Sequence, residues 1–413
     1  MAGPCLKIDT KILHEWGRLQ TTLLPRLSSI DSAMRLGVMS SADAQGILSL
    51  VTPAITTLVL KFEEDAIHAL HLGDGQYALI QCPRLRHITI ETGVDDALSW
   101  RTILRTLIRG SLHLETVLAP NTIVFEAATM IHLGSCPNLR VLRAYKIAPF
   151  STSDSGVGPG AFPALESWRY LPVSGPQAML ASSVLAHSHT QSLRELCFGG
   201  REDAVSFGIW RSLLSSLKRY TQLDNLELVI NITGRPPDFW QAVLESLMDM
   251  ASLEQLRVCT DFGAVLHEGA LIHYVSHWPA IRRLEFIGSN SWEDYSVVVS
   301  LAAFITMMSL CPHLEYLHGV SVSCVSLPPG ELVDCVEAMG HSLVYGWMLQ
   351  DAQSSDVEDV ALVLHRVLPQ LESVHNPNVG ETVITVAVSE ALALMRSEDA
   401  VWTQYRDLFV CHE

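Results

Sequence analysis

Nine cysteines and 17 histidines carry the widest chemical repertoire in this 413-residue chain, and their spacing decides what they can do. The close histidine pairs, His68 with His71 and His187 with His189, lack a third ligand at metal-like spacing, so no metal site is expected. The cysteines are scattered and odd in number, with no pair spaced for zinc or redox chemistry, which reads as free thiols in a reducing compartment. Gly156, Gly158 and Gly160 hint at a phosphate cradle, but Pro159 interrupts them and neither a lysine nor a helix start follows. The Ser151–Gly160 stretch that holds them reads as a loop. Nucleophile-elbow, zinc-protease and Walker sequences are absent, so neither a catalytic residue nor a cofactor is nominated, and an enzyme is not expected.

The side chains left for function are charged and aromatic, the material of recognition, and they acquire meaning from the elements that position them. One phrase returns down the chain: an apolar residue, two variable ones, an apolar one, a variable one, and usually another apolar one. It begins at Ile55, Leu85, Leu114, Leu139, Leu165, Leu193, Leu223, Leu253, Ile281, Leu314, Leu343 and Leu371. The steps range only from 25 residues (Leu114 to Leu139) to 33 (Ile281 to Leu314), too narrow for chance. The last four positions alternate at period two, the mark of a strand buried on one face. Helical periodicity lies between the strands. Trp100, Ile103, Leu104, Leu107 and Ile108 make one face of a helix over Ser99–Gly110, and Phe239, Val243 and Leu247 one row of a helix over Asp238–Met250.

A strand and helix of this size cannot bury their apolar faces alone, so similar units must stack on one another. The expected class is α/β: a leucine-rich-repeat horseshoe with a parallel sheet on the concave side and helices on the convex side. Residues 1–50 and 381–413 carry apolar helical segments without the usual phrase and are expected to be helical caps on a repeat array spanning 51–380.

In such an array the fifth position of each phrase projects from the open face of the sheet. There Arg143 stands beside Arg169, a pairing suited to gripping a carboxylate or phosphate, or else a solvated face. Glu227, Arg257 and Glu285 alternate in sign and are expected to pair across strands, with partner binding the other use open to them. His318, Tyr345 and Trp347, with Tyr316 and His375 nearby, form an aromatic group that suits either an interface or the seat of the C-terminal cap. A protein partner on the concave face is the expected ligand.

Acidic residues outnumber basic ones by 44 to 27, and the formal charge of -17 repels phosphate backbones, so nucleic acid is not an expected partner. The longest nearly uncharged stretch, Tyr295–Leu310, is too short for a bilayer and reads as a buried helix; no membrane association is expected. The start Met1-Ala2-Gly3-Pro4-Cys5 shows no secretory signal, which points to the cytoplasm or nucleus.

The phrases CPRLRHITI at Cys82, CPNLRVLRA at Cys136, FPALESWRY at Phe162, WPAIRRLEF at Trp278 and CPHLEYLHG at Cys311 resemble the repeats of fungal F-box/leucine-rich-repeat proteins over about residues 55–380. The resemblance implies a substrate-recognition subunit of a cullin-type ubiquitin ligase. Leu23-Leu24-Pro25-Arg26-Leu27 is too short a match to that family's F-box, so docking to a cullin ligase adaptor is implied only with an F-box upstream. A free-standing interaction scaffold is the alternative.

Overall fold

The first, fourth and sixth positions of the phrase form the core. Leu85, Ile88 and Ile90, then Leu139, Leu142 and Ala144, then Leu223, Leu226 and Leu228 are at most 2% exposed, and the other described phrases from Ile55 to Leu317 repeat the pattern. Fully burying such a side chain contributes about 1.5–3 kcal/mol. Ordering each residue costs about 1–2 kcal/mol, so a short phrase persists only when its neighbours cover it.

The computed structural model describes residues 5–6, 29–33, 55–62, 83–92, 104–105, 107–119, 124–144, 146–147, 160–170, 184–185, 192–199, 206–232, 238–260, 266–288, 297–323, 328, 333, 348–350, 357–368 and 388–395. The chain divides into two compact units, Met1–Tyr220 and Thr221–Glu413.

The first unit carries β1 (Cys5–Leu6), β2 (Ser29–Ala33), β3 (Thr57–Phe62), β4 (His87–Thr92), β5 (Thr116–Leu118), β6 (Val124–Phe125), β7 (Val141–Arg143), β8 (Lys146–Ile147), β9 (Ser167–Tyr170) and β10 (Glu195–Gly199). Its main sheet runs β1-β2-β3-β4-β5-β7-β9-β10 with parallel pairing, and β6 pairs with β8 alongside. The second unit carries β11 (Asn225–Ile230), β12 (Gln255–Thr260), β13 (Arg283–Gly288), β14 (Val297–Ser300), β15 (Tyr316–His318), β16 (Val320–Ser323) and β17 (Met348–Gln350). Here β11-β12-β13-β15 form one parallel sheet and β14-β16-β17 another. The described helices include Ala127–Gly134, between β6 and β7, in the first unit, and Phe239–Glu245, Glu268–Val275 and Leu301–Leu310 in the second. Each unit is thus an α/β leucine-rich-repeat stack.

Register is set by one backbone contact that recurs. The carbonyl at the second position of a phrase accepts from the N–H groups at the second and third positions of the next. Arg86 and His87 donate to Thr56, Glu115 and Thr116 to Arg86, and Arg140 and Val141 to Glu115, all at 2.8–3.1 Å. Glu254 and Gln255 donate to Asp224, Arg282 and Arg283 to Glu254, and Glu315 and Tyr316 to Arg282, at 2.7–3.0 Å. Each shared carbonyl satisfies two donors that a strand start would otherwise leave unmade.

The residue three places before the phrase adds a side-chain tie to the preceding repeat. Cys136 Sγ lies 3.9 Å from the Ser111 carbonyl, Tyr220 Oη donates to Leu185 O at 2.9 Å, Trp278 Nε1 to Leu247 O at 2.9 Å, and Cys311 Sγ lies 3.7 Å from Val275 O. Burial pushes the Cys136 thiol up to about 11 and the Cys311 thiol up to about 12. Neither supplies a nucleophilic thiolate near neutrality.

Several elements depart from the sequence reading. Within residues 1–50, where a helical cap is expected, the described residues Cys5–Leu6 and Ser29–Ala33 are strands that join the ladder below Ile55. Tyr295–Leu310 is not one helix. The β-branched run Val297-Val298-Val299 forms β14, and the helix starts at Leu301, where Ser300 Oγ accepts from the Ala303 N–H at 3.1 Å. The helix expected over Asp238–Met250 is confined to Phe239–Glu245, with turns after it, and Ser246 Oγ donates back to the Ala242 carbonyl at 2.7 Å. Of the Ser99–Gly110 helix, residues 104–105 and 107–109 are helical. Residues 388–395 are helical, while residues 343–347 of the Leu343 phrase, the phrase at Leu371 and the helical segment Ile12–Leu27 lie outside the described residues.

Gly319 holds the sixth phrase position, where other repeats bury a side chain. Its φ of +79° turns the chain from β15 into β16, and a Cβ there would sit 1.8 Å from the Phe286 carbonyl oxygen. Gly319→Ala is expected to lower unfolding stability by more than about 2 kcal/mol, read by urea titration. Cys136 and Cys311 are expected to stay unmodified by iodoacetamide at pH 8 in the native protein and to react in denaturant, as mapped by peptide mass.

Candidate functional site

The third and fifth positions of each phrase share the half-exposed face of the ladder, because successive strand residues alternate sides. In the second unit that face is a connected polar group. Strand register sets Glu227, Arg257, Glu285 and His318 in one row across β11, β12, β13 and β15. Arg257 lies between two glutamates, with Nη1 3.4 Å from Glu227 Oε1 and Nε 3.6 Å from Glu285 Oε2. Glu285 is only 4% exposed, and its second oxygen is taken by Arg283 Nε two residues earlier on the same strand. A carboxylate this deep persists only with cations to balance it, and the two arginines meet that need.

The guanidinium of Arg283 lies 4.2 Å from the centre of the Tyr316 ring, which in turn stacks on His318 at 6.4 Å between centroids. Burial lowers the His318 pKa and outweighs the pull of Glu285, while Arg257 and Arg283 add to the lowering. The imidazole is therefore held neutral at physiological pH. The face offers a rigid aromatic and cationic platform at Tyr316, His318 and Arg283. Tyr345 and Trp347, expected to extend this group, lie outside the described residues.

In the first unit Arg143 and Arg169 are neighbours in register across β7 and β9. The structure uses them differently. Arg169 directs Nε and Nη2 onto Glu195 Oε1 at 3.0 and 2.9 Å, while Ser167 Oγ donates to the other oxygen at 2.7 Å. Among the described residues Arg143 makes no such pair, and its Nε is buried with no hydrogen-bond partner there. Burial by itself would raise the Glu195 carboxyl. The Ser167 and Arg169 hydrogen bonds, together with the Arg169 and Arg143 charges, bring it below the ordinary carboxylate range.

A further charged row at the second phrase position escaped the fifth-position reading. Arg86 meets Glu115 at 3.0 Å, Arg140 binds both oxygens of Glu166 at 2.9 and 2.8 Å, and Arg282 lies 3.8 Å from Glu254 and 2.7 Å from Glu315. Sign alternation along that column of the aligned phrases was the signal that could have revealed it. These pairs lie at the surface, where water and salt screen them.

Among the described residues no group of three or more His, Cys, Asp and Glu is placed to hold a metal ion, and no helix is long and apolar enough to cross a membrane. The pairs His68 with His71 and His187 with His189 lie outside those residues.

No family model matches the chain, and no curated protein matches it. Solved structures similar to it include an internalin from Listeria monocytogenes, at 14% identity over 84% of this chain and 91% of that one, with a TM-score of 0.42. A leucine-rich-repeat protein from Leptospira interrogans is 10% identical over 90% of this chain and 99% of that one, with a TM-score of 0.39. Human trophoblast glycoprotein is 17% identical over 68% and 84%, with a TM-score of 0.35. The fold assignment stands on the strand ladder itself.

Because the folded-state pKa of Glu195 lies below its unfolded value of about 4.3, the carboxylate contributes stability above the unfolded value. That contribution is lost as pH falls through the folded one. Urea midpoints measured between pH 7 and pH 3 are expected to fall more steeply for the wild type than for Glu195→Gln.

Proposed function

We propose that the half-exposed face of the ladder recognises a protein partner. The observation that carries this reading is the arrangement of Tyr316, His318, Arg283 and Arg257 around the buried Glu285, together with Arg143 and Arg169 in the first unit. Fixed aromatic and arginine side chains on a rigid sheet are the usual anchors of protein interfaces. Ion pairs hold most of these charges in place, so little side-chain entropy remains to be lost when a partner docks.

The finer proposal is a substrate-recognition subunit of a cullin-type ubiquitin ligase. Its support is the resemblance of the phrases at Cys82, Cys136, Phe162, Trp278 and Cys311 to repeats of F-box/leucine-rich-repeat proteins. The second reading, a free-standing interaction scaffold, is favoured by the repeat ladder, which is built for recognition whether or not a ligase is attached.

Affinity purification with mass spectrometry separates these readings. A partner enriched by the wild type and by the control Lys218→Glu, in the turn that closes the helix Phe207–Leu217, is expected to be lost from Arg143→Glu combined with Arg169→Glu, or from Arg257→Glu. Co-purification of a cullin adaptor supports the ligase role, and its consistent absence beside a retained partner supports the scaffold. Retention of every partner by all face variants would remove the recognition face.

A further inference from the structure

Arginines on the ladder meet glutamates almost as a rule: Arg86, Arg140, Arg169, Arg257, Arg282 and Arg283 each have one within ion-pair distance. Arg143 is different. Its in-register neighbours are Leu118 on one side and Arg169 on the other, neither able to accept a hydrogen bond through its side chain. Glu195, two strands along this face, is occupied on both oxygens by Arg169 and Ser167. The side chain of Arg143 is half-buried, its Nε–H is buried, and among the described residues no hydrogen-bond partner reaches that atom. A buried donor without an acceptor is unfavourable.

We propose that Arg143 anchors a carboxylate side chain, a glutamate or aspartate in an acidic segment of a protein partner that lies over Leu118. This deepens the recognition reading and rests on it. The guanidinium presents a planar fork suited to a carboxylate, Leu118 offers an apolar rest for the methylene stem, and Arg169 adds positive charge one strand away. A long polyanion is disfavoured, because Glu195 stands two strands away and the whole chain carries a net charge of -17. The chemistry selects one well-placed acid.

The test uses the full chain and two fluorescein-labelled octapeptides of alternating leucine and glutamine, one of them with a single central glutamate in place of a glutamine. Fluorescence anisotropy is expected to show the glutamate peptide binding at least tenfold tighter. Arg143→Gln is expected to weaken the glutamate peptide at least tenfold and bring the two peptides level, while Lys218→Gln leaves both unchanged. Thermal unfolding of Arg143→Gln is expected at or above the wild-type temperature, since the variant removes a charged donor that lacks an acceptor. Equal affinity for the two peptides, no binding of either, an unaffected Arg143→Gln variant, or a lower unfolding temperature would overturn the anchor. If the glutamate peptide binds Arg143→Gln normally while the double charge reversal at Arg143 and Arg169 abolishes partner capture, the anchor falls and the recognition face stands. If no face variant changes capture, the face itself falls.

Discussion

The shared carbonyl at the second phrase position is the contact on which the rest of the structure depends. By accepting two N–H groups from the next repeat, it fixes where each strand starts relative to the last. A slip of one residue would turn every core side chain outward. With the start fixed, leucine follows leucine through the core, and the third and fifth positions line up into rows of defined neighbours. The ion pairs and ring contacts of the open face are consequences of that register rather than causes of it.

The core was legible in the sequence because burial acts on single positions: an apolar residue at the first, fourth and sixth places needs no knowledge of its neighbours. The alternation of Glu227, Arg257 and Glu285 was legible for a similar reason, since strand register converts a repeat interval into a distance. What could not be read was how side chains choose among several reachable partners. Arg169 turns to Glu195 and away from the fifth-position row, and Arg283 bonds a glutamate two residues along its own strand. The strand before Ile55 was missed because its phrase is reduced to Leu27 and Ile30, with serine at the sixth place, although Ser29 and Ile30 pair in register with Thr57 and Leu58.

Gly319 shows where one sheet ends and another begins. Its missing side chain admits the Phe286 carbonyl, and its backbone conformation sends the chain directly into β16. The chain therefore passes from β15 of the ladder into β16 of the second sheet at a single glycine. The helices Glu268–Val275 and Leu301–Leu310 pack against each other and against β14, so the branch is covered by apolar side chains.

The alternating row at the second position has an evolutionary consequence. Arg282 faces Glu254 and Glu315 together, so reversing its sign alone would set three like charges side by side. A change there is tolerated more readily after one at a neighbouring repeat, which makes substitutions along this row conditional on one another across intervals of about thirty residues. Among relatives of this chain the row would drift in compensated pairs.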